Sequence, residues 1–128
     1  MGRFEDIKQS LTDQTANLIP ISKDLSDQLQ STHPGLPEDF LEFLSEIGAG
    51  EIGDGVFMLY NGLVQPVDIY GPEASEPLRS VLLFGDDMQG YCVGYTISDW
   101  KVWEINPLDW SLSPLADTFE QFIRDQLR

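Results

Sequence analysis

The run Val81–Asn106, VLLFGDDMQGYCVGYTISDWKVWEIN, constrains the fold of this chain more than any other part of it. An apolar strand over Val81–Phe84 leads into a tight Gly85-Asp86-Asp87-Met88-Gln89-Gly90 segment. Tyr91, Val93, Tyr95 and Ile97 then alternate with Cys92, Gly94 and Thr96, and after a short polar break at Ser98-Asp99 the alternation resumes from Trp100 to Ile105. Side chains alternate across a strand with a period of two, so this run reads as antiparallel sheet with faces that other elements must cover. Ser98-Asp99 is a weak two-residue turn, which allows a longer connection there. Two carboxylates, Asp86 and Asp87, sit at the rim with no nucleophile or metal cluster beside them, which points to a binding module before an enzyme.

The covering elements are legible on either side. Phe4, Ile7, Leu11 and Leu18 fall at near-helical spacing, which predicts an amphipathic helix over residues 3–17, ending before Pro20. Residues 1–20 therefore read as an N-terminal helical extension. Ser22 caps a second helix carrying Leu25 and Leu29 and ending near His33-Pro34-Gly35. Pro37 opens a third, with Glu38 and Asp39 at the positive end of its dipole, Phe40, Leu44 and Ile47 as its buried stripe, and Phe43 alongside. Gly48 supplies its left-handed stop. Beyond it, Val56–Tyr60 reads as a strand, Asn61-Gly62 as a hairpin turn, and Leu63–Tyr70 as an irregular partner strand because Pro66 cannot donate to a central ladder. Gly71–Arg79, with Pro72 and Pro77, reads as a loop. Asp117 and Glu120 have capping-box spacing before a last helix whose face is Phe119, Phe122, Ile123 and Leu127. The order predicts an α+β fold: a single domain with a mainly antiparallel twisted sheet, N-terminal helices and a C-terminal helix packed against it. A length of 128 residues fits one domain.

Charge narrows the partner. Seven basic against 22 acidic residues give a net charge of -15, beyond the magnitude of about 2 to 8 that solubility asks of a small domain. Between Lys23 and Arg79 there is no Lys or Arg, while Asp24, Asp27, Glu38, Asp39, Glu42, Glu46, Glu51, Asp54, Asp68, Glu73 and Glu76 all fall there. Such a field repels nucleic acid and anionic lipid and speeds encounter with a basic protein. A solvated acidic surface without a specific partner is the blander reading. The lone Cys92 allows no intramolecular disulfide and suits a reducing compartment. The opening MGRFEDIKQS lacks the pattern of a signal peptide, Asp6 breaks a myristoylation pattern, and the longest apolar run, Val56–Tyr60, is far too short to span a bilayer. The expectation is a cytoplasmic protein.

The candidate chemistries thin out on inspection. Residues 48–53, Gly-Ala-Gly-Glu-Ile-Gly, match the letters of a dinucleotide fingerprint, but a helix precedes them and a strand follows, the reverse of what holds a pyrophosphate. They read as a flexible Gly turn. Asp86 and Asp87 lack the further acids of a calcium loop, so each is expected to bond its own turn backbone. His33, the only histidine, lies between two predicted helices and reads as an exposed or capping residue. One Cys and one His exclude a Cys/His zinc site within one chain, and no cofactor is expected. Glycoside hydrolysis by two carboxylates survives the count, although nothing selects a pair. Trp100, Trp103 and Trp110 are expected in the core, with Trp100 and Trp103 on opposite faces and one of them less buried.

Leu36-Pro37 followed by Phe40, Phe43, Leu44, Gly48 and Gly50, then Phe84-Gly85-Asp86-Asp87 with Gly90, an aromatic hairpin, and Phe119-Glu120-Gln121-Phe122-Ile123, resembles the SUKH superfamily of Smi1/Knr4-type domains over residues 22–127. Ala49 departs from the Asn-Gly-Gly type of turn expected there. The resemblance implies an α+β domain without catalytic residues. Bacterial members are mostly immunity proteins that block a polymorphic toxin, often a nuclease, and fungal members regulate cell-wall synthesis and signalling. Gly48, Gly50, Phe84, Gly85, Asp86 and Gly90 match shared positions that look like fold determinants. Together with the charge, the resemblance leads to an immunity protein that binds a basic toxin domain, with Glu51, Asp54, Asp86 and Asp87 as candidate contacts. An intracellular adaptor or regulator is the alternative, and a small carboxylate hydrolase a minor one.

Overall fold

Seven strands form one antiparallel sheet in which each strand neighbours the next in sequence, from β1 (Leu18–Ile19) and β2 (Ala49–Ile52) through β3 (Phe57–Val64), β4 (Val81–Asp86), β5 (Cys92–Thr96) and β6 (Val102–Ile105) to β7 (Leu112–Ala116). Helices α1 (Lys23–Thr32) and α2 (Glu38–Glu46) lie between β1 and β2, the short α3 (Pro66–Tyr70) and a 3-10 turn (Pro72–Ala74) between β3 and β4, and α4 (Phe119–Gln126) closes the chain. The structure is a computed structural model that describes residues 4–7, 18–52, 57–74 and 78–126. The architecture is α+β, as the order of patterns predicts.

Local chemistry sets the helix ends. The Leu25 N–H donates to Ser22 Oγ at 3.1 Å and caps α1. Pro37 stands just before α2, where its missing N–H costs nothing. Gly48, at φ +122, ends that helix, and a side chain there would strike the backbone of Ile19 and Pro20. So Gly48 is required twice, for its conformation and for the close passage of β1. The N-terminus of α4 is capped differently from the capping-box expectation. Thr118 Oγ1, rather than Asp117, accepts the Gln121 N–H at 3.1 Å, and the Glu120 N–H donates to Asp39 Oδ2 of α2 at 2.9 Å.

The core lies between the helices and one face of the sheet. Phe40 of α2, Phe84 of β4 and Phe119 of α4 pack mutually with ring centroids 5.3 to 5.7 Å apart, and Tyr95 meets Phe40 and Phe84. Such tilted and edge-on contacts add to the burial of each ring. The opposite face carries a smaller cluster of Leu78, Val81, Leu83, Cys92 and Ile105, covered in part by Tyr60, Val64, Tyr70, Trp110 and Leu112.

Several expectations are corrected. Residues 5–7 are helical, with Phe4 and Ile7 buried, but the rest of the helix predicted over 3–17 lies outside the described residues, as do Val56 and Leu127. Leu18, which helical spacing grouped with them, instead pairs with Gly50 in β1. Asn61-Gly62 makes no hairpin. Leu59 pairs with Gly85 and Val64 with Leu83, so residues 60–63 of β3 face the single residue Phe84 of β4, and the turn-forming pair bends an excursion within one strand. Leu63–Tyr70 is accordingly no partner strand: β3 runs on to Val64, and Pro66 occupies the first turn of α3. The supposed Gly turn, Ala49–Ile52, is strand β2. β6 starts at Val102, because Trp100 lies in the preceding turn at φ +55. The strand β7 went unforeseen.

Candidate partner-binding surface

The predicted contact residues do not stand together as free carboxylates. In β4, the pairing shifts between Leu83↔Gly94 and Gly85↔Val93, so Phe84 and Gly85 together oppose Val93. This bulge reverses the side-chain parity of the strand beyond it, and Asp86 emerges on the second face, opposite Met58 and Cys92, instead of entering the helix-covered core. Gly85 is needed at the bulge because a Cβ would lie 2.5 Å from both the Met58 carbonyl oxygen and the Phe57 ring.

Both oxygens of Asp86 are engaged: the Tyr60 hydroxyl donates to Oδ2 at 2.6 Å and the Met88 N–H to Oδ1 at 2.7 Å. Asp87 Oδ1 accepts the Gln89 and Tyr91 N–H groups at 2.8 and 3.1 Å. The backbone bonds are the local turn bonds expected of the pair, whereas the bond from Tyr60 comes from another strand. The turn is also tied to α3, where the Tyr70 hydroxyl donates to the Gly90 carbonyl at 3.0 Å and accepts the Cys92 N–H at 3.3 Å. Burial pushes the Tyr60 and Tyr70 hydroxyls well above the ordinary tyrosine range. The hydrogen bond to Asp86 raises Tyr60 further, and contact with Cys92 raises Tyr70. Burial likewise lifts the Cys92 thiol, which keeps it protonated and a poor nucleophile.

Glu51 is half-buried on β2 and registers with Met58, which registers with Asp86. Glu51 and Asp86 thus share one face, two strand spacings or about 10 Å apart. Asp54 lies outside the described residues. The other acids divide between two sides. Asp68 of α3 and Glu73 of the 3-10 turn are exposed near the second face. On the helical side, Glu38, Glu42 and Glu46 run along α2 and line a groove of about 290 Å³ against Ser26 and Gln30 of α1. The spacing of those three was visible in the sequence; that α1 would wall them was not.

Other chemistry finds little support in the geometry. Among the described residues no group of His, Cys, Asp and Glu could hold a metal ion. His33 ends α1, its N–H donating to Leu29 O, in keeping with a capping role. Trp100 packs on Tyr95 and beside Gly35, while the indole N–H of Trp103 donates to Thr96 Oγ1. All three tryptophans are half-buried. No helix among the described residues is long and apolar enough to cross a membrane.

Compared with known families, residues 20–125 match the SMI1 / KNR4 family (SUKH-1). The chain belongs to that family. The match runs from Pro20, between β1 and α1, into α4, and so takes in the bulged β4, the Asp86–Gly90 turn and the acidic helix α2. No curated protein matches the chain. SUKH-1 membership and the α+β sheet bear out the resemblance that the order of short motifs carried.

Proposed function

We propose that this SUKH-1 protein is a non-catalytic binding protein that neutralises a cognate toxin with a basic surface, as an immunity protein. The observation that carries the reading is the interval between Lys23 and Arg79, which holds no Lys or Arg and many acidic residues. A toxin that cleaves nucleic acid needs cations to hold phosphates, and carboxylates placed where phosphates would lie can occupy such a groove. Steering by a net charge of -15 would make capture fast, which suits a protein that must reach its target before damage is done. Family membership supports a protein partner, and the Cys92 thiol and the turn-bound Asp86 and Asp87 offer no nucleophile or acid–base pair.

Glu51 and Asp54 are proposed as direct contacts. Asp86 and Asp87 are proposed to present the turn to the partner. Co-expression tests the reading. Cells producing the toxin domain encoded beside this gene are expected to survive only when this chain is made, and Glu51→Gln with Asp54→Asn to weaken binding at least tenfold. Survival without the chain, or a neighbouring gene that encodes no toxin, favours a regulatory adaptor instead.

A further inference from the structure

Because the strands form a meander, the β4–β5 and β6–β7 turns leave the same end of the sheet. They lie side by side, since a Cβ on Gly90 would be 3.6 Å from the Pro107 ring. Each turn carries an apolar side chain into solvent, Met88 at 44% exposure and Leu108 at 90%. Neither tip is loose. The Met88 N–H is held by Asp86 Oδ1, and the Leu108 N–H donates to Asn106 Oδ1 at 2.8 Å. The Trp110 N–H donates to the Asn106 carbonyl at 2.7 Å, and the Tyr70 hydroxyl holds the Gly90 carbonyl. A single exposed apolar residue is ordinary, but two on adjoining, well-held turns make a patch.

Backbone conformation adds an observation independent of exposure. Met88 has φ +65, in the left-handed region that glycine occupies without cost. Trp110, at φ +60, has a packing reason for its side chain, which covers part of the second-face cluster. Met88 has no such reason: its side chain is exposed, so glycine would serve the turn as well. Recognition accounts for the methionine where folding does not.

We infer that Met88 and Leu108 are the apolar anchor of the partner-binding surface, entering an apolar recess ringed by Lys or Arg on a basic protein. This deepens the proposed reading of a basic partner, on which it rests, by adding to the acidic contacts the side chains that would supply short-range binding. Charge decides the occupant. Asp87 precedes Met88, Asp109 follows Leu108, and no Lys or Arg lies between Arg79 and Lys101 or between Lys101 and Arg124. Carboxylates beside an apolar anchor match cations around a recess. They oppose a second copy of this chain, which would bring the same net charge of -15 against them. They also oppose a bilayer, which charged neighbours enter only at a cost. Methionine suits an anchor because its unbranched thioether adapts to the shape of the recess.

The test is a short peptide alternating Arg and Leu, titrated into the isotope-labelled full chain and followed by backbone amide shifts, with oligo-arginine as the purely electrostatic probe. The largest shifts from the Arg–Leu peptide are expected at Met88, Gln89, Leu108 and Asp109. Leu108→Ser is expected to weaken its binding about tenfold and Met88→Gly about fourfold, following the apolar area each would bury. Neither variant should weaken oligo-arginine by more than about twofold. The control Ile97→Ser, an exposed apolar residue at the other end of the sheet, should leave both probes unchanged. Met88→Gly is also expected to keep the melting temperature within about 3 °C, because relief of the left-handed backbone offsets the added chain entropy. A larger fall would give the side chain a structural role and overturn the inference. Shifts spread over every acidic segment, equal losses with the two peptides, or binding of neither would overturn it as well. So would self-association in sedimentation that Leu108→Ser abolishes, which would make a second copy the occupant. Failure here is separable from failure of the reading beneath it. If both tip variants still neutralise the toxin while Glu51→Gln with Asp54→Asn does not, the tips are wrong and the immunity reading stands. If the unaltered chain protects no cell yet the Arg–Leu peptide docks on the tips, the immunity reading falls and the surface stands.

Discussion

Asp39 shows how one side chain can join two elements. It is 5% exposed, a buried charged residue of the core, and its carboxylate joins the N-termini of two helices. Oδ1 accepts the Phe40 N–H at 2.9 Å within its own first turn, and Oδ2 accepts the Glu120 N–H at the start of α4, also at 2.9 Å. A buried carboxylate is costly unless hydrogen-bonded, and here both oxygens are, with two positive dipole ends directed at them. Burial and the charge of Asp39 together push the neighbouring Tyr95 hydroxyl far above the ordinary tyrosine range. Asp39→Ala removes an acceptor from both helices, and loss of a cap typically costs about 0.5 to 2 kcal/mol. A loss of about 2 kcal/mol in urea unfolding is expected, with Asp39→Asn falling between, because its carbonyl oxygen can still accept one of the two bonds. The sequence placed Asp39 at the positive end of α2, but its second partner lies 81 residues away and left no mark in local spacing.

Elements were legible where the pattern is strong and hidden where packing decides. An apolar run located β4, alternation located β5 and β6, and capping residues located α1 and α2, because period and cap chemistry are written within a few residues. β2 was hidden because Gly48-Ala49-Gly50 reads as a turn, and only the passage of Ile19 against Gly48 and the pairing with β3 make it a strand. β7 was hidden by Pro114, which is tolerated because β7 is the outer strand and needs no donor on its free side. For the candidate surface, the acidic interval was plain from the sequence. The engagement of Asp86 was not, since its partner Tyr60 comes from another strand and the bulge at Phe84-Gly85 decides which face it occupies. The Tyr60–Asp86 bond fastens the β4–β5 turn to β3, and its removal tests whether the turn depends on it. Tyr60→Phe is expected to cost about 1 to 2 kcal/mol, the penalty of a half-buried acceptor left without its donor. In a double-mutant cycle with Asp86→Ala, the paired change should cost clearly less than the sum of the singles. Additive losses would show that the two side chains do not act together.

At the scale of the whole molecule, a net charge of -15 acts on stability and on recognition with opposite signs. Carboxylates confined in the folded state repel one another more than they do along the expanded chain, so screening should favour folding. The Debye length falls from about 30 Å at 0.01 M salt to about 10 Å at 0.1 M, which removes repulsion between α2 and the second-face rim while leaving interactions between neighbouring side chains largely intact. Raising salt over that range is expected to lift the melting temperature by about 3 to 6 °C, equivalent to roughly 1 kcal/mol for a domain of this size. Association with a basic partner is governed by the same long-range field, but there screening removes attraction. Its rate constant is expected to fall about tenfold over the same range, while the dissociation rate, set by short-range contacts, changes little. Thermal unfolding and stopped-flow binding, measured in one salt series, would show whether the two trends oppose. A melting temperature that falls with salt would mean that the acidic interval is already neutralised within the fold, and the surface would then have no excess charge with which to steer a partner.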